Sequence, residues 1–276
     1  MAYAEYLGRC ETREDVLDAR LVECMAATLD MDPPEGEVPP LWHWMLFQDW
    51  RRPGGIGPDG HPSRGGFLPP VHDLPRRMWA GGRVAFTGNG LRLGDAVRRT
   101  STIAAIEEKQ GGSGRLVFVT VRHELANARG PVLTEEQDIV YRGAEGAAVK
   151  PGAPGPDFAA DHRRAVLPDT LMLFRYSALT GNGHRIHYDA PYAREAEGYP
   201  GLVVHGPLQA TLLAAAMLAA APGGRLARFA FRGQRPAFAD HALTVLARRE
   251  GAGALRAETR DAGGAICMKA DGDIAT

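Results

Sequence analysis

A single apolar helix in the second half of the chain limits its fold more than any other feature of the sequence. Residues 208–221 (LQATLLAAAMLAAA) are mainly alanine and leucine, so apolar side chains lie on every face of this helix. These 14 residues are too few to cross a bilayer, which takes about 20. A strongly curved antiparallel sheet wrapped round one helix buries all of its faces economically, and this predicts an α+β fold.

Strand-like segments form two series, one in each half of the chain. The first covers residues 83–86, 96–107, 115–125 and 137–141, and the second covers 242–247, 254–259 and 265–270. The set Arg83, Ala85, Phe86 and Asp95 recurs as Arg228, Ala230, Phe231 and Asp240, each 145 residues later. This constant offset predicts two related halves, 1–149 and 150–276, divided at the linker KPGAPGP. Joined like the subunits of a dimer, the two sheets would cover each other's edges.

The region before the first strands predicts three different segments. Residues 11–29 predict a helix, begun by Thr12 and Asp15 and continued by an apolar stripe. Residues 41–50 (LWHWMLFQDW) hold three of the four tryptophans. Residues 52–75 are so rich in glycine and proline that they predict a loop, which is either a lid or binding segment or an excursion on the surface.

Composition and charge argue against several classes of protein. The 32 basic and 33 acidic side chains balance, whereas a nucleic-acid-binding protein normally carries a clustered basic surplus. Cys10, Cys24 and Cys267 have no CxxC spacing, which argues against structural disulfides and a zinc knuckle and favours the cytosol. The first residues lack the basic and apolar regions of a signal peptide, and no membrane association is expected.

Chemically active side chains are most concentrated between residues 174 and 205. His184, His187 and His205 lie there within 22 residues of one another. Imidazole is the side chain best suited to move protons near neutral pH, so an acid–base site is the leading interpretation. A metal site is the second, since His184 and His187 could chelate, but no known motif completes the set of ligands. The third interpretation is that these histidines are ordinary loop and capping residues without a chemical role.

The start of the apolar helix adds a second chemical feature beside these histidines. Gly206 is followed by Pro207 where the helix begins, a position at which proline costs nothing because its amide would be unpaired. The free amides of the first turn, starting with Gly206 N–H, point out of the helix with the positive end of its dipole behind them. Such an amide can stabilise a developing oxyanion, although every helix has this terminus and only the nearby histidines give it weight.

The segments YSALTGNGHRIHYD (176–189) and GYPGLVVHGPL (198–208) resemble the hydratase motif of MaoC-like enzymes, the (R)-specific enoyl-thioester hydratases and 3-hydroxyacyl-thioester dehydratases. The resemblance is greatest to the subgroup with the type 2 mitochondrial dehydratases and the bacterial itaconyl-CoA and mesaconyl-C4-CoA hydratases. The first half resembles the degenerate, fatty-acid-synthase-like dehydratase hot dog of these chains. The resemblance implies a double hot-dog fold, with two curved antiparallel sheets that each wrap a central helix, and places the catalytic unit in residues 150–276.

The resemblance also implies the roles of the site residues. His187 falls on the family's catalytic histidine, and Gly206 would stabilise the enolate-like oxygen. Asn182 falls where the broader family has a catalytic aspartate; an amide can orient water but cannot take its proton. The type 2 dehydratases are similar in having asparagine here, so His187 would act alone or with Asp189 as a second carboxylate.

Five further residues are candidates for contact with the substrate. Arg185 could pair with a substrate carboxylate or a phosphate of coenzyme A, or be a plain surface residue. The other four are His184, His205, Arg232 and Arg235, of which the two arginines are candidates for contact with coenzyme A. The residues 145 positions before His187 and His205 are Trp42 and Gly60, so one active site per chain is expected. The first half would form a wall of the acyl tunnel, covered by segments 41–50 and 52–75.

The implied reaction is the reversible hydration of an enoyl-CoA to a 3-hydroxyacyl-CoA, with a C5 dicarboxylic acyl group as in itaconyl-CoA or mesaconyl-C4-CoA. No cofactor or metal is expected, since coenzyme A enters as part of the acyl-CoA substrate, and a homodimer is compatible with the sequence. The alternatives are a dehydratase acting on acyl carrier protein and a non-catalytic acyl-thioester-binding protein. A thioesterase is a further alternative, but such sites usually rely on a carboxylate at the helix, and HGPLQATLL offers none.

Overall fold

Ten β-strands form one continuous antiparallel sheet in the computed structural model, which describes residues 3–111, 114–144 and 151–275. The order of strands across the sheet is β1-β3-β4-β5-β2-β7-β10-β9-β8-β6. The strands are β1 Cys10–Val16, β2 Arg76–Phe86, β3 Ala96–Gly111, β4 Gly114–Asn127, β5 Gly130–Arg142, β6 His162–Val166, β7 Leu226–Gly233, β8 Leu243–Glu250, β9 Ala254–Arg260 and β10 Ile266–Ile274.

The sheet consists of two five-stranded halves with the same strand order, joined at its centre. Strands β6 to β10 follow the order of β1 to β5, mirrored about the pair of β2 and β7. Within that pair Arg83 lies opposite Ala230 and Ala85 opposite Arg228, so four of the residues that reveal the repeat also form the junction. The joining of the two sheets is therefore confirmed, while the division at 149/150 stays a prediction because residues 145–150 lie outside the described ones.

The apolar helix of the second half is wrapped by its sheet, as predicted. Helix α4 contacts every strand from β6 to β10 and also reaches β2. Leu208, Leu213 and Met217 are fully buried. The α-helices of the described residues are α1 Ala19–Leu29, α2 Thr170–Thr180, α3 Ala190–Glu195 and α4 Gly206–Ala220. Within the described ranges, none of the helices is both long and apolar enough to cross a membrane.

The single helix predicted for residues 11–29 is wrong in its first third. Residues 10–16 form strand β1, whose side chains alternate in exposure, and Thr12 lies opposite Thr100 of β3. The helix begins only after Asp18, whose carboxylate accepts a hydrogen bond from the amide of Leu21 at 2.9 Å. Pairing with β3 thus overrides the local preference that Thr12 and Asp15 suggested.

The prediction of a central helix in each sheet is wrong for the first half, which has no described helix in the place that α4 takes in the second half. After α1 the chain forms a short 3-10 helix, Trp42–Met45, whose Trp42 and Met45 belong to the same buried apolar cluster as Val84. The long glycine- and proline-rich segment then contains a 3-10 helix, Pro53–Gly55, and a bridge between Ile56 and Pro62 before β2 begins. This arrangement leaves a large cavity between the halves.

Candidate active site

A cavity of about 1150 Å³ is lined by residues from both halves of the sheet and by the glycine- and proline-rich loop. The second half contributes the histidines predicted from the motif and the beginning of α4. The first half contributes side chains of β2 to β5, and the loop contributes residues 61–69. Of the residues predicted from the sequence, the cavity is lined by Asn182, His184, His187, Gly206, Arg232 and Arg235.

A tight turn after α2 places the motif at the cavity. Gly181 ends the helix with a left-handed backbone (φ 62°), and the amide of Asn182 donates to the carbonyl of Ser177 at 2.9 Å. The side-chain oxygen of Asn182 accepts from the amide of His184 at 3.0 Å. This leaves the side-chain NH₂ of Asn182 as the group that can donate to a bound molecule.

His187 is held in one tautomer by the segment that precedes α4. It ends the 3-10 helix Arg185–His187, and its Nδ1 donates to the carbonyl oxygen of Val203 at 2.7 Å. The amide of Val203 donates in return to Ile186 at 2.9 Å. Because a carbonyl only accepts, Nδ1 carries the proton and Nε2 is left as a base. Burial lowers the pKa of His187 to about 4, so the ring is neutral at pH 7.

His205 lies behind His187 and does not line the cavity among the described residues. The two rings are stacked with their centroids 3.7 Å apart, and Nε2 of His205 forms a 2.8 Å hydrogen bond with the hydroxyl of Ser177. Burial, followed by the neighbouring histidines, holds the pKa of His205 well below its usual value. The geometry makes this residue a support for the His187 ring rather than a contact for a ligand.

Helix α4 begins at the cavity. Gly206 is the first residue of the helix, so its N–H has no carbonyl one turn earlier within the helix to bond with. Gly206 also lines the cavity. An added Cβ at this position would lie 3.7 Å from the methyl group of Met268, an ordinary contact. The site therefore combines a neutral imidazole with amide donors, which suits proton transfer beside a developing negative charge.

The loop of the first half contributes an aspartate–histidine pair that sequence reasoning missed. Nδ1 of His61 lies 3.0 Å from a carboxylate oxygen of Asp59, and the ring of His61 contacts that of His184 with 4.2 Å between centroids. Burial lowers the pKa of His61. Burial would raise the pKa of Asp59, but its hydrogen bonds with His61 outweigh this and lower it. The sequence DGHP (59–62) in a loop was the available signal.

Asp59, His61 and His184 also form a described group that could hold a metal ion, since their donor atoms lie within 4.8 Å of one another. However, one oxygen of Asp59 accepts from the His61 amide and the other pairs with the His61 ring. The arrangement is therefore that of an aspartate orienting a histidine.

A close backbone contact attaches this loop to the motif. The amide of Arg185 donates to the carbonyl of Asp59 at 2.9 Å. Gly60 has φ +88°, and a Cβ added to it would overlap the carbonyl group of Gly183. The loop can approach the motif this closely only because both positions are glycine.

Arg185 and Asp189 form an ion pair outside the cavity. Their side chains are 2.7 Å apart, Asp189 also caps α3 through the amide of Tyr192, and Arg185 lies over the Tyr192 ring. Neither residue is among the described residues that line the cavity. The roles in substrate binding and proton transfer inferred for them from the sequence stay predictions, which their absence from the described lining does not support.

Arg232 lies at the end of β7 and Arg235 just after it. Arg232 is exposed and Arg235 is half-buried, 3.9 Å from Asp261. Both line the cavity, and their contact with coenzyme A stays a prediction.

Comparison with known proteins agrees with this geometry. Residues 41–239 match the model of the family "hydroxyacyl-thioester dehydratase type 2". The chain is 44% identical over 261 residues to the mesaconyl-C(4)-CoA hydratase of Chloroflexus aurantiacus, with 89% of each protein covered.

Two solved structures share the fold. A MaoC-like dehydratase from Phytophthora capsici has a TM-score of 0.74 at 16% identity, covering 98% of this chain and 96% of the other. A Mycobacterium tuberculosis protein described as a double hot dog has a TM-score of 0.60 at 12% identity, covering 97% and 96%. This chain is thus a double hot-dog protein and belongs to the hydroxyacyl-thioester dehydratase type 2 family.

Proposed function

We propose that this protein is a hydro-lyase that reversibly adds water to the double bond of an enoyl-CoA, with a C5 dicarboxylic acyl group as in mesaconyl-C4-CoA. The named relative, 44% identical over 89% of the chain, supports the acyl group and the coenzyme A carrier. The main observation that supports hydration is the tautomer of His187. Its Nδ1 donates to the carbonyl of Val203, so Nε2 is left as a neutral base in the cavity.

His187 performs both proton transfers in this mechanism. Its Nε2 takes a proton from water while the water oxygen bonds to the β-carbon and the π electrons of the double bond move to the thioester oxygen. The resulting imidazolium then returns its proton to the α-carbon, and the electron pair of the enolate forms the new C–H bond. The sum is one water added and His187 neutral again. Dehydration follows the same steps in reverse.

Asn182 and Gly206 position and stabilise the groups that react with His187. The Asn182 NH₂ donates to the attacking water, since its oxygen is occupied by the amide of His184. The Gly206 N–H donates to the thioester oxygen as it becomes negative, and a donor of this kind contributes about 2.7 to 4 kcal/mol to the transition state. The depressed pKa of His187 keeps the base unprotonated throughout the neutral range.

The test is to assay the purified protein with mesaconyl-C4-CoA, itaconyl-CoA and crotonyl-CoA, following the absorbance of the enoyl thioester. We expect hydration of mesaconyl-C4-CoA, and a loss of kcat of about 10²- to 10⁴-fold in His187→Gln, as for removal of a general base. His241→Gln is the matched control, because His241 also bonds a backbone carbonyl through Nδ1 (Ala239, 2.9 Å) but does not line the cavity among the described residues.

Two outcomes would contradict the proposal. Failure to hydrate any of the three thioesters would favour a protein that binds acyl thioesters without catalysis. Full turnover by His187→Gln would remove the assigned base. A homodimer also stays a prediction, and the molecular mass in solution tests it.

A further inference from the structure

Arg77 lines the cavity without an ion pair to any described carboxylate, in contrast to its neighbour on β2. Arg76 forms a 3.2 Å ion pair with Glu197, and both of these side chains are largely buried. Both arginines line the cavity, but the charge of Arg76 is compensated by Glu197 and that of Arg77 is not matched by an ion pair with a described carboxylate. Taking a half-buried guanidinium out of water without a counter-charge costs free energy, which a bound anion would recover.

Tyr141 lies directly opposite Arg77 on β5 and is also unsatisfied. The two residues are in register across the antiparallel pair, where side chains share a face of the sheet. Tyr141 is 0% exposed and lines the cavity, yet its hydroxyl has no hydrogen-bond partner in the described part of the chain. Burial raises the pKa of Tyr141, while the charge of Arg77 and the approach of its N–H groups to the Tyr141 oxygen act against this rise; a guanidinium can only donate, so it cannot accept the hydroxyl proton. The hydroxyl is therefore a proton donor without an acceptor.

A second guanidinium adds to the positive charge at this place. Arg64 lies 5.4 Å from the centre of the Tyr141 ring and donates to the backbone carbonyls of Val71, Leu74 and Pro75. Those acceptors are neutral, so they fix the orientation of Arg64 without cancelling its charge. The nearby carboxylate, that of Asp59, is already engaged by His61.

This group of Arg64, Arg77 and Tyr141 lies close to the proposed reaction centre. After burial, the main cause, the charge of Arg77 contributes to lowering the pKa of both His61 and His184. The ring of His184 lies 5.6 Å from that of His187. In a C5 dicarboxylic enoyl thioester the free carboxylate is only a few bonds from the double bond. An anchor for that carboxylate must therefore lie on the cavity wall beside the histidines, and Arg77 lines the same cavity as His184 and His187.

We infer that Arg77 and the hydroxyl of Tyr141, supported by Arg64, bind the free carboxylate of a dicarboxylic acyl thioester. The inference rests on the proposed function and names the residues that select its substrate. Arg77 supplies the charge, Tyr141 donates its unpaired O–H to one carboxylate oxygen, and the cross-strand register sets their spacing. This replaces Arg185 as the arginine that recognises the acyl group.

The test compares two substrates with the same coenzyme A, mesaconyl-C4-CoA with a free carboxylate and crotonyl-CoA without one. In Arg77→Gln we expect kcat/KM for mesaconyl-C4-CoA to fall about 10- to 100-fold, as for a lost hydrogen bond to a charged group, with crotonyl-CoA changed less than about threefold. Arg77→Lys keeps the charge but not the planar fork and should recover part of the loss.

Tyr141→Phe is a second variant, and it separates substrate binding from a structural role because the two predict different changes in thermal stability and kcat/KM. Removing a buried hydroxyl that lacks a partner should leave thermal stability unchanged or raise it. At the same time kcat/KM for mesaconyl-C4-CoA should fall about threefold to tenfold, and crotonyl-CoA should be unaffected.

Arg99→Gln is the matched control, since Arg99 lines the same cavity and its Nε also lacks a partner among the described residues. The charges near Arg99 are Arg13 and three carboxylates, those of Glu11, Glu135 and Asp49, so carboxylates already outnumber the neighbouring cation there.

Three results would overturn the inference. Equal losses on both substrates would assign Arg77 to the phosphates of coenzyme A, and a selective loss in Arg99→Gln alone would move the carboxylate to that residue. A wild-type protein that hydrates crotonyl-CoA as well as mesaconyl-C4-CoA would show that the carboxylate is not recognised. In each case the proposed hydratase activity would stand. Failure of the proposed activity itself would instead appear as no turnover of either thioester by the wild-type protein.

Discussion

The two halves of this protein share a strand order but differ in what lies inside the curve of the sheet. In the second half, helix α4 is wrapped by β6 to β10 and forms a closed core. In the first half, the corresponding stretch is a glycine- and proline-rich loop that extends to the motif of the other half and contacts it through Gly60 and Gly183. One sheet topology can thus enclose either a core or a binding cavity, depending on one inserted segment.

A second contrast concerns the short 3-10 helices that follow α1 and α2. The first, Trp42–Met45, buries Trp42, while the second, Arg185–His187, brings His187 to the cavity. Beside Trp42, His43 lies 3.0 Å from a carboxylate oxygen of Glu135, and Trp44 donates to the other oxygen at 2.9 Å. His43, Trp44 and Glu135 therefore satisfy one another, whereas Nε2 of His187 is left for a ligand.

Removing one amide of α4 tests what the second half gains from its helix. In Gly206→Pro we expect kcat to fall about 10²- to 10³-fold, because the N–H assigned to the thioester oxygen is lost. Proline suits the first turn of a helix, and the ψ of 134° at His205 accommodates a following proline. The measurement is kcat with mesaconyl-C4-CoA, beside circular dichroism to check the helix.

Gly206→Ala is the control for this prediction. It keeps the amide, and its Cβ meets only the methyl group of Met268 at ordinary contact distance. Wild-type turnover in Gly206→Pro would show that α4 contributes a core and no catalytic donor, which would remove this difference between the halves.

Separating the loop from the motif tests what the first half contributes. In Gly60→Ala the added Cβ would overlap Gly183, so the loop must move and displace His61 from His184. We expect kcat/KM to fall about 10- to 100-fold, as for a displacement of the order of 1 Å at a reacting site. Hydrogen exchange should show faster exchange in the loop and unchanged protection in α4.

Gly65→Ala separates steric overlap from backbone strain. Gly65 lies in the same loop with the same φ of +88°, but the nearest atom to its Cβ would be 3.7 Å away, on Pro70. We expect nearly wild-type kcat/KM. An equal loss in both variants would mean that strain in the loop, and not its contact with the motif, limits activity.

The buried histidines, which include His61 of the first half, and the buried Glu135 should affect stability in different ranges of pH. Burial lowers the pKa of His187 to about 4, that of His184 to about 2 and that of His205 well below 6.5. Below pH 6.5 the unfolded chain binds protons that these rings cannot take up, so stability falls as the pH drops towards 4. Each fully buried ring contributes about 1.4 kcal/mol per pH unit to this slope.

Glu135 in the first half acts at lower pH. Burial raises its pKa, but the hydrogen bonds from His43 and Trp44 outweigh this and lower it below 4.5, so its stabilising contribution is lost only as the pH falls below that value. Urea unfolding between pH 7.5 and 4 should show the histidine slope first, reduced in His205→Gln and unchanged in His72→Gln, whose histidine is exposed. A flat profile down to pH 4.5 would contradict the burial of neutral imidazoles.

The sequence was most informative where local pattern and packing agree. A segment of mainly alanine and leucine must be buried on all its faces, so α4 was predicted to within two residues at its start. The tautomer of His187 could not be predicted, because the carbonyl that fixes it belongs to Val203, 16 residues further along.

Contacts between distant segments account for what was missed. Strand β1 depends on β3, some 90 residues away, and His61 depends on the approach of Gly60 to Gly183. Arg77 is prominent only because Tyr141 lies opposite it and no described carboxylate pairs with it, neither of which a single sequence displays. Arg185 attracted attention through its neighbours in sequence, but i,i+4 pairing with Asp189 engages it.

The central pairing of β2 with β7 has a consequence for how the chain is made. Strand β2 is complete at Phe86, but its partner begins only at Leu226. At ribosomal rates of about 5 to 20 residues per second, the backbone edge of β2 waits roughly 7 to 30 seconds before β7 emerges. Throughout that interval the first half presents an open strand edge to other nascent chains, so its yield in cells should depend on chaperones more than that of a single hot dog.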